Sequence, residues 1–177
     1  MKNKKLVIIC VVLLLVIGVV SFFVIKNNKK IAEAKKTTVE VMNKFLGNGF
    51  TGYDHCLVDE VDIDNKMEVN IRKYYVLKEY TSLDDIKKLA SEYETKDMID
   101  KIKSDKFITN KNVFYCYVPD GEIALYNKDV EATSAKVKDN VITANVKFTK
   151  GSTTYKAKVE IVKENDSWKL SKLDYEE

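Results

Sequence analysis

Val141-Ile142-Thr143-Ala144-Asn145-Val146-Lys147-Phe148-Thr149 and Thr154-Tyr155-Lys156-Ala157-Lys158-Val159-Glu160-Ile161-Val162-Lys163, parted by Lys150-Gly151, decide the fold. Apolar and polar residues alternate at period two in both runs, the signature of half-buried strands. Ile142, Ala144, Val146 and Phe148 share one face, and Tyr155, Ala157, Val159 and Ile161 are placed to match them across a hairpin. Thr143, Asn145, Lys147, Lys156, Lys158 and Glu160 take the other face, so one side of this antiparallel sheet is wet.

Outward from this pair the same chemistry continues. Val130 to Val137 precedes it across Asp139-Asn140, and Trp168 to Leu173 follows it across Asn165-Asp166-Ser167. Val113 to Val118 and Glu122 to Tyr126 flank Pro119-Asp120-Gly121, which predicts a further hairpin. All the predicted long strands therefore lie within residues 113–175.

Helical periods dominate nearer the start of the chain. Ile31, Ala34, Thr38, Val41, Met42 and Phe45 fall on one face of a helix over 31–46 that Gly47-Asn48-Gly49 should end. Between Phe50 and Tyr80 two periods compete: Val61, Ile63, Met67, Val69 and Ile71 alternate, whereas Met67, Ile71, Tyr74, Tyr75 and Lys78 fit a helix. A short strand at Val61 to Ile63 and a helix over 66–80 are expected. Ser82 before Asp84 and Asp85 starts a helical region over 82–103 with Ile86, Leu89, Ala90 and Tyr93 inward, and Thr95 is a second N-cap within it. Helices first and a strand meander afterwards predict an α+β domain over 31–177, its helices packed on an antiparallel sheet.

Ahead of that domain stands a different kind of segment. Residues 1–5 are a basic tail, Leu6 to Ile25 are twenty uncharged residues, apolar but for Ser21, and 26–30 add three lysines. A helix of that length spans about 30 Å, the thickness of a bilayer's hydrocarbon core. It is longer than the apolar region of a cleaved signal, about 7–15 residues, so a retained single-pass membrane anchor is expected. Lysines flank both ends and leave the charge rule undecided; a short basic tail before a first span usually stays inside, which places the domain outside the cytoplasm. With no Pro or Gly between Lys26 and Phe45, the span should run straight into the first domain helix.

Charge argues against a nucleic-acid partner. The net charge of +3 arises in the anchor: residues 1–30 hold six lysines and no acid, and the remainder has 24 basic against 27 acidic residues. A nucleic-acid-binding domain would carry its own clustered basic surface; the lysines of 26–36 suit anionic lipid headgroups instead. Arg72 is the single arginine beside 29 lysines, a skew that points to an AT-rich bacterial genome.

Catalytic chemistry finds few residues to work with. His55 is the only histidine, no Cys-x-x-Cys or phosphate-cradling glycine run occurs, and no metal site or cofactor is expected. The acidic run Asp59 to Asp64 lacks the glycine and terminal glutamate of a calcium loop. Cys56 and Cys116 would be able to pair if the domain lies outside; the reading preferred from sequence is that both are small buried hydrophobes. Tyr53, His55, Tyr74, Tyr75, Tyr80, Tyr115 and Tyr117 are the candidates for lining a ligand cavity, with Tyr53, His55, Tyr74 and Tyr115 foremost. A base for any reaction there would have to be His55 or one of Asp54, Asp59, Glu60, Asp62 and Asp64. Aromatics at strand and helix periods are more often core, and no catalytic residue is assigned.

The layout of a long first helix, short helices and long antiparallel strands closing on Lys163-Glu164-Asn165-Asp166-Ser167-Trp168-Lys169-Leu170 resembles the cone-shaped, nuclear-transport-factor-like superfamily. The resemblance is most specific over Thr153 to Leu170. Asn165-Asp166 replaces the usual turn glycine, and the helical region at 82–103 exceeds the minimal cone. It implies a curved sheet and, among tethered bacterial members, work as a stalk domain of cell-wall synthases or as an assembly subunit of secretion and conjugation machines. Enzymatic or ligand-binding relatives place acid-base residues inside the cone. Fold alone does not choose, and protein interaction at the membrane is the expected role.

Overall fold

The computed structural model describes residues 2–48, 56, 60–119, 129–150 and 153–176, with the side chains of the first helix from Val20 onward. Its architecture is α+β, with antiparallel sheets and few helices. One helix, α1 (Lys2–Leu46), is continuous through the basic segment. Its face of Ala34, Thr38, Val41, Met42 and Phe45 is buried, as the 3.6-residue spacing predicts. The Thr38 hydroxyl, also buried, donates to the Ala34 carbonyl at 2.8 Å, so the polar group enters the core satisfied. Gly47 donates to the Asn43 carbonyl at 2.9 Å, and a Cβ there would stand 2.6 Å from that oxygen. Only glycine fits this stop.

Among the described residues eight strands form two four-stranded antiparallel sheets, where the sequence predicts one. The first sheet has the order β1 (Val61–Val69), β2 (Arg72–Leu77), β4 (Val113–Tyr117), β3 (Phe107–Asn110). The second is a meander of β5 (Glu131–Lys138), β6 (Val141–Lys150), β7 (Thr153–Glu164) and β8 (Ser167–Tyr175). Its register pairs Ile142 with Ile161, Ala144 with Val159, Val146 with Ala157 and Phe148 with Tyr155, the match that the alternation predicts. All of these but the half-buried Tyr155 bury against α1, which lies chiefly along β5. Lys147, Lys156 and Lys158 stay exposed on the other face.

The helix expected over 66–80 is instead the β1–β2 hairpin. Period-two alternation wins because Asn70 and Ile71 both take positive φ, 47° and 66°, which closes a two-residue turn between Val69 and Arg72. Ile71, read from sequence as part of a buried helical face, is fully exposed at that turn. Lys111-Asn112 and Asn165-Asp166 make similar turns with positive φ at both residues, which explains how β7–β8 closes without a glycine. The predicted strand Glu122 to Tyr126 lies outside the described residues, and among the described residues β4 takes β3 as its hairpin partner.

The helical region expected over 82–103 is two short helices. In α2 (Leu83–Ala90) the Ser82 hydroxyl accepts the Asp85 amide at 3.2 Å, the capping bond expected there. The Asp85 carboxylate accepts from the Thr81 amide and hydroxyl and is held below its ordinary pKa by bonds to Thr81 and Ser82. Thr95 caps α3 (Lys96–Ile99) by position but without a side-chain bond. Between the two helices the chain touches β8: the Leu170 amide donates to the Tyr93 carbonyl at 2.8 Å, and the Leu170 carbonyl accepts from Thr95 at 3.0 Å. A register shift opposite Glu160, with the Ser171 hydroxyl donating to the Glu160 carbonyl, accompanies this outward pairing. The outer edge of the second sheet is thereby partly covered and tied to the segment leading to the first.

Ile71 makes the fold testable. A β-branched residue in the left-handed region is held there at a cost of about 1–2 kcal/mol, and Ile71, 101% exposed, has no packing to lose. Ile71→Gly should raise unfolding free energy by about 1 kcal/mol in urea titrations. A loss of stability would contradict the hairpin.

Candidate interaction surface

The two faces of the first sheet have different chemistry. Tyr75, Leu77, Phe107, Phe114 and Cys116 turn inward and cluster with Cys56, Val61, Ile86 and Val118. Phe107 and Phe114 stack with ring centroids 5.3 Å apart. Tyr75 and Tyr80, candidates for a cavity lining, pack against this cluster as parts of a core. Burial first, then the carboxylates of Glu79, Glu60 and Glu92, pushes the Tyr80 hydroxyl up in pKa, away from service as a base.

On the opposite face, strand pairing brings Arg72, Tyr74 and Tyr117 together. Tyr74 stands across from Tyr117, with ring centroids 5.8 Å apart, and its hydroxyl donates to the Asp105 carbonyl at 3.3 Å; it is buried and supports the half-buried Tyr117 from beneath. The Arg72 guanidinium lies 5.2 Å from the Tyr117 ring centroid and 3.8 Å from the Asp105 carboxylate. Tyr74 first, then Asp105 and Tyr117, hold Arg72 above its ordinary pKa. Arg72 and Asp105 are half or more exposed, so their ion pair contributes little to stability. Tyr115, Val76, Ile108 and Met67 continue the same face, all half-buried. The surface combines tyrosine, arginine and aliphatic groups, the composition in which interface energy concentrates.

A disulfide secures the strand that displays Tyr115 and Tyr117. Cys116 alternates with them on β4 and is bonded to Cys56, with Cα atoms 6.0 Å apart. The Cys56 amide donates to the Tyr117 carbonyl at 2.9 Å. Both cysteines are fully buried, as the preferred sequence reading has it, but they are joined and not separate thiols.

Of the foremost cavity candidates, Tyr53 and His55 lie outside the described residues, as do Asp54 and Asp59. Tyr74 is buried opposite Tyr117, and Tyr115, opposite Val76 on the same side of the sheet, is half-buried. Asp62 and Asp64 sit at a register shift in β1, where the Asp62 carboxylate accepts from the Asn65 side chain at 2.6 Å and the Asp64 amide at 3.1 Å. Those bonds, Asn65 first, hold the Asp62 carboxyl below its ordinary pKa. Its work is to shape the strand edge. Among the described residues no group of three or more His, Cys, Asp and Glu could hold a metal ion. Arg72 and Asp105 were missed in the sequence; the one signal was that Arg72 is the single arginine in a lysine-rich chain.

No family model matches the chain, and no curated protein matches it. Among the described residues no helix is long and apolar enough to cross a membrane, and of the run Leu6 to Ile25 only Val20 to Ile25 have described side chains.

The disulfide closes a sequence separation of 60 residues. Without reductant, an alkylating agent in denaturing detergent should modify one cysteine per chain, Cys10, and after reduction all three. Replacing Cys56 and Cys116 together by Ser should lower stability by about 2–4 kcal/mol in denaturant titrations. Three modified cysteines before reduction would contradict the pairing.

Proposed function

We propose that this chain is a single-span bacterial membrane protein whose domain is held outside the cytoplasm and binds a protein partner through the face of the first sheet that displays Arg72, Tyr115 and Tyr117. The observation that carries the reading is that face: an arginine over a tyrosine ring, flanked by half-buried tyrosine and aliphatic groups, on a strand fastened by a disulfide. Rigid aromatic and guanidinium groups bind with little loss of side-chain freedom, which is why interfaces use them.

The anchor is supported by the twenty uncharged, almost wholly apolar residues Leu6 to Ile25 and by the unbroken α1 that contains them. The outside location is supported by the Cys56–Cys116 disulfide, since such bonds persist in oxidising compartments and are rare in the cytosol. Placement in the cone-shaped, nuclear-transport-factor-like superfamily is part of the same proposal, supported by the first helix packed on the long meander. Membership of an envelope, secretion or conjugation assembly, without catalysis of its own, is the role we assign.

A photoreactive phenylalanine analogue at Tyr115 in whole cells should give a covalent adduct with a second protein, and the same probe at Lys158 on the second sheet should not. Combining the Tyr115 probe with Arg72→Ala and Tyr117→Ala should reduce the adduct at least tenfold. Adducts of equal yield from both positions, or none from Tyr115, would overturn the assignment.

A further inference from the structure

Exposure along α1 marks where the domain begins. Val20 to Lys30 are all exposed, Ile31 is half-buried, and Ala34 is the first buried residue. Ile31 lies six positions beyond Ile25, the last of the apolar run, about 9 Å along a helix. The headgroup layer on each side of a bilayer is itself about 5–8 Å thick. With no Gly or Pro between Lys26 and Phe45 to kink the helix, the near edge of the domain meets the lipid surface.

Hydrogen bonds identify that edge. Lys35 on α1 donates to the Thr133 carbonyl at 2.8 Å, and the Thr133 hydroxyl donates to the Asn145 carbonyl at 3.2 Å. One step further along the strands, Lys147 stands opposite Lys156, and Phe148 opposite Tyr155. The Glu176 amide donates to the Lys156 carbonyl at 2.9 Å, which keeps Tyr175 beside them. The rings of Phe148, Tyr155 and Tyr175 lie 5.5–6.2 Å apart, centroid to centroid. The other end of the sheet, at Ile142, Ile161 and Leu170, is bonded to Tyr93 and Thr95 and so leads toward the first sheet. Lys35 stands at the start of the buried part of α1, the side nearer the apolar run, and its bond to Thr133 lies at the tyrosine end. The tyrosine end therefore faces the membrane.

We infer that this end of the second sheet, with Tyr155, Tyr175, Lys147 and Lys156, is a docking surface for anionic phospholipid headgroups; the inference rests on the membrane-anchor reading above. Lys147 and Lys156 are directly opposed like charges, a destabilising pair in water, with Glu131 across from Lys147 on the other side. A phosphate set between the two ammonium groups removes the repulsion. Tyr175, 55% exposed, supplies the half-polar ring that suits a membrane interface. Lys29 and Lys30 on the exposed turn of α1 extend the positive rim.

The test uses the full chain with Cys10→Ser and its native disulfide intact, carrying a spin label at Thr154→Cys or, at the far end, Lys138→Cys. Each is placed in nanodiscs of phosphatidylcholine and phosphatidylglycerol doped with a nickel-chelating headgroup lipid. Relaxation of the label at 154 should exceed that at 138 at least threefold. Omitting phosphatidylglycerol, or adding Lys147→Glu with Lys156→Glu, should reduce the excess at least twofold. Equal relaxation at both positions, or an excess indifferent to both changes, overturns the inference and leaves the anchor standing. A chain that does not co-purify with the discs overturns the anchor, and the inference with it.

Discussion

One packing interaction organises the rest of the molecule: the buried face of α1 against the inner face of the second sheet. Met42, Leu46, Ile142, Ile161 and Leu170 are nearly or wholly removed from water there. Burying such side chains contributes about 1.5–3 kcal/mol each, and close-packed protein interiors transmit displacement instead of absorbing it. Because α1 is also the element that carries the apolar run, the core and the proposed membrane span share one rigid body. If that span is the proposed anchor, the position of every strand relative to the bilayer follows from where the helix face ends, near Ile31.

The second consequence is that the two sheets divide their work. The meander holds α1 on one face and keeps the other wet. The first sheet has its own core, closed by Cys56–Cys116, and presents its tyrosine face away from it. The link between them passes through Tyr93 to Thr95, whose backbone bonds to Leu170. Glu94, within that link, is buried with 1% exposure, so this junction is a packed joint and not a loose hinge.

How far the fold could be read from sequence depended on how local each signal was. Register in the meander was legible because period two over Val141 to Thr149 and Thr154 to Lys163 leaves one pairing that buries both apolar sets. The α1 face and the Ser82 cap were legible for the same reason: helix spacing and capping act within one turn. The β1–β2 hairpin was misread because Met67 and Ile71 satisfy both periods and Tyr74 and Tyr75 extend the helical one, and the deciding element is a turn with isoleucine at φ 66°, where glycine or asparagine is the usual cue. Strand β3 was missed because Phe107 to Asn110 is too short to show a period. The Arg72–Asp105 and Tyr74–Tyr117 neighbours come from parts of the chain more than thirty residues apart, and only strand pairing brings them together.

Continuity of α1 through the basic segment is the central claim, and amide hydrogen exchange across Lys26 to Lys36 tests it most directly, with the full chain in lipid nanodiscs. The account predicts protection that runs without a break from the apolar run into Ala34 and beyond, exchange taking hours where a free segment takes seconds. Exchange at unstructured rates between Lys26 and Ile31, with protection resuming at Ala34, would mean a flexible tether and would contradict it.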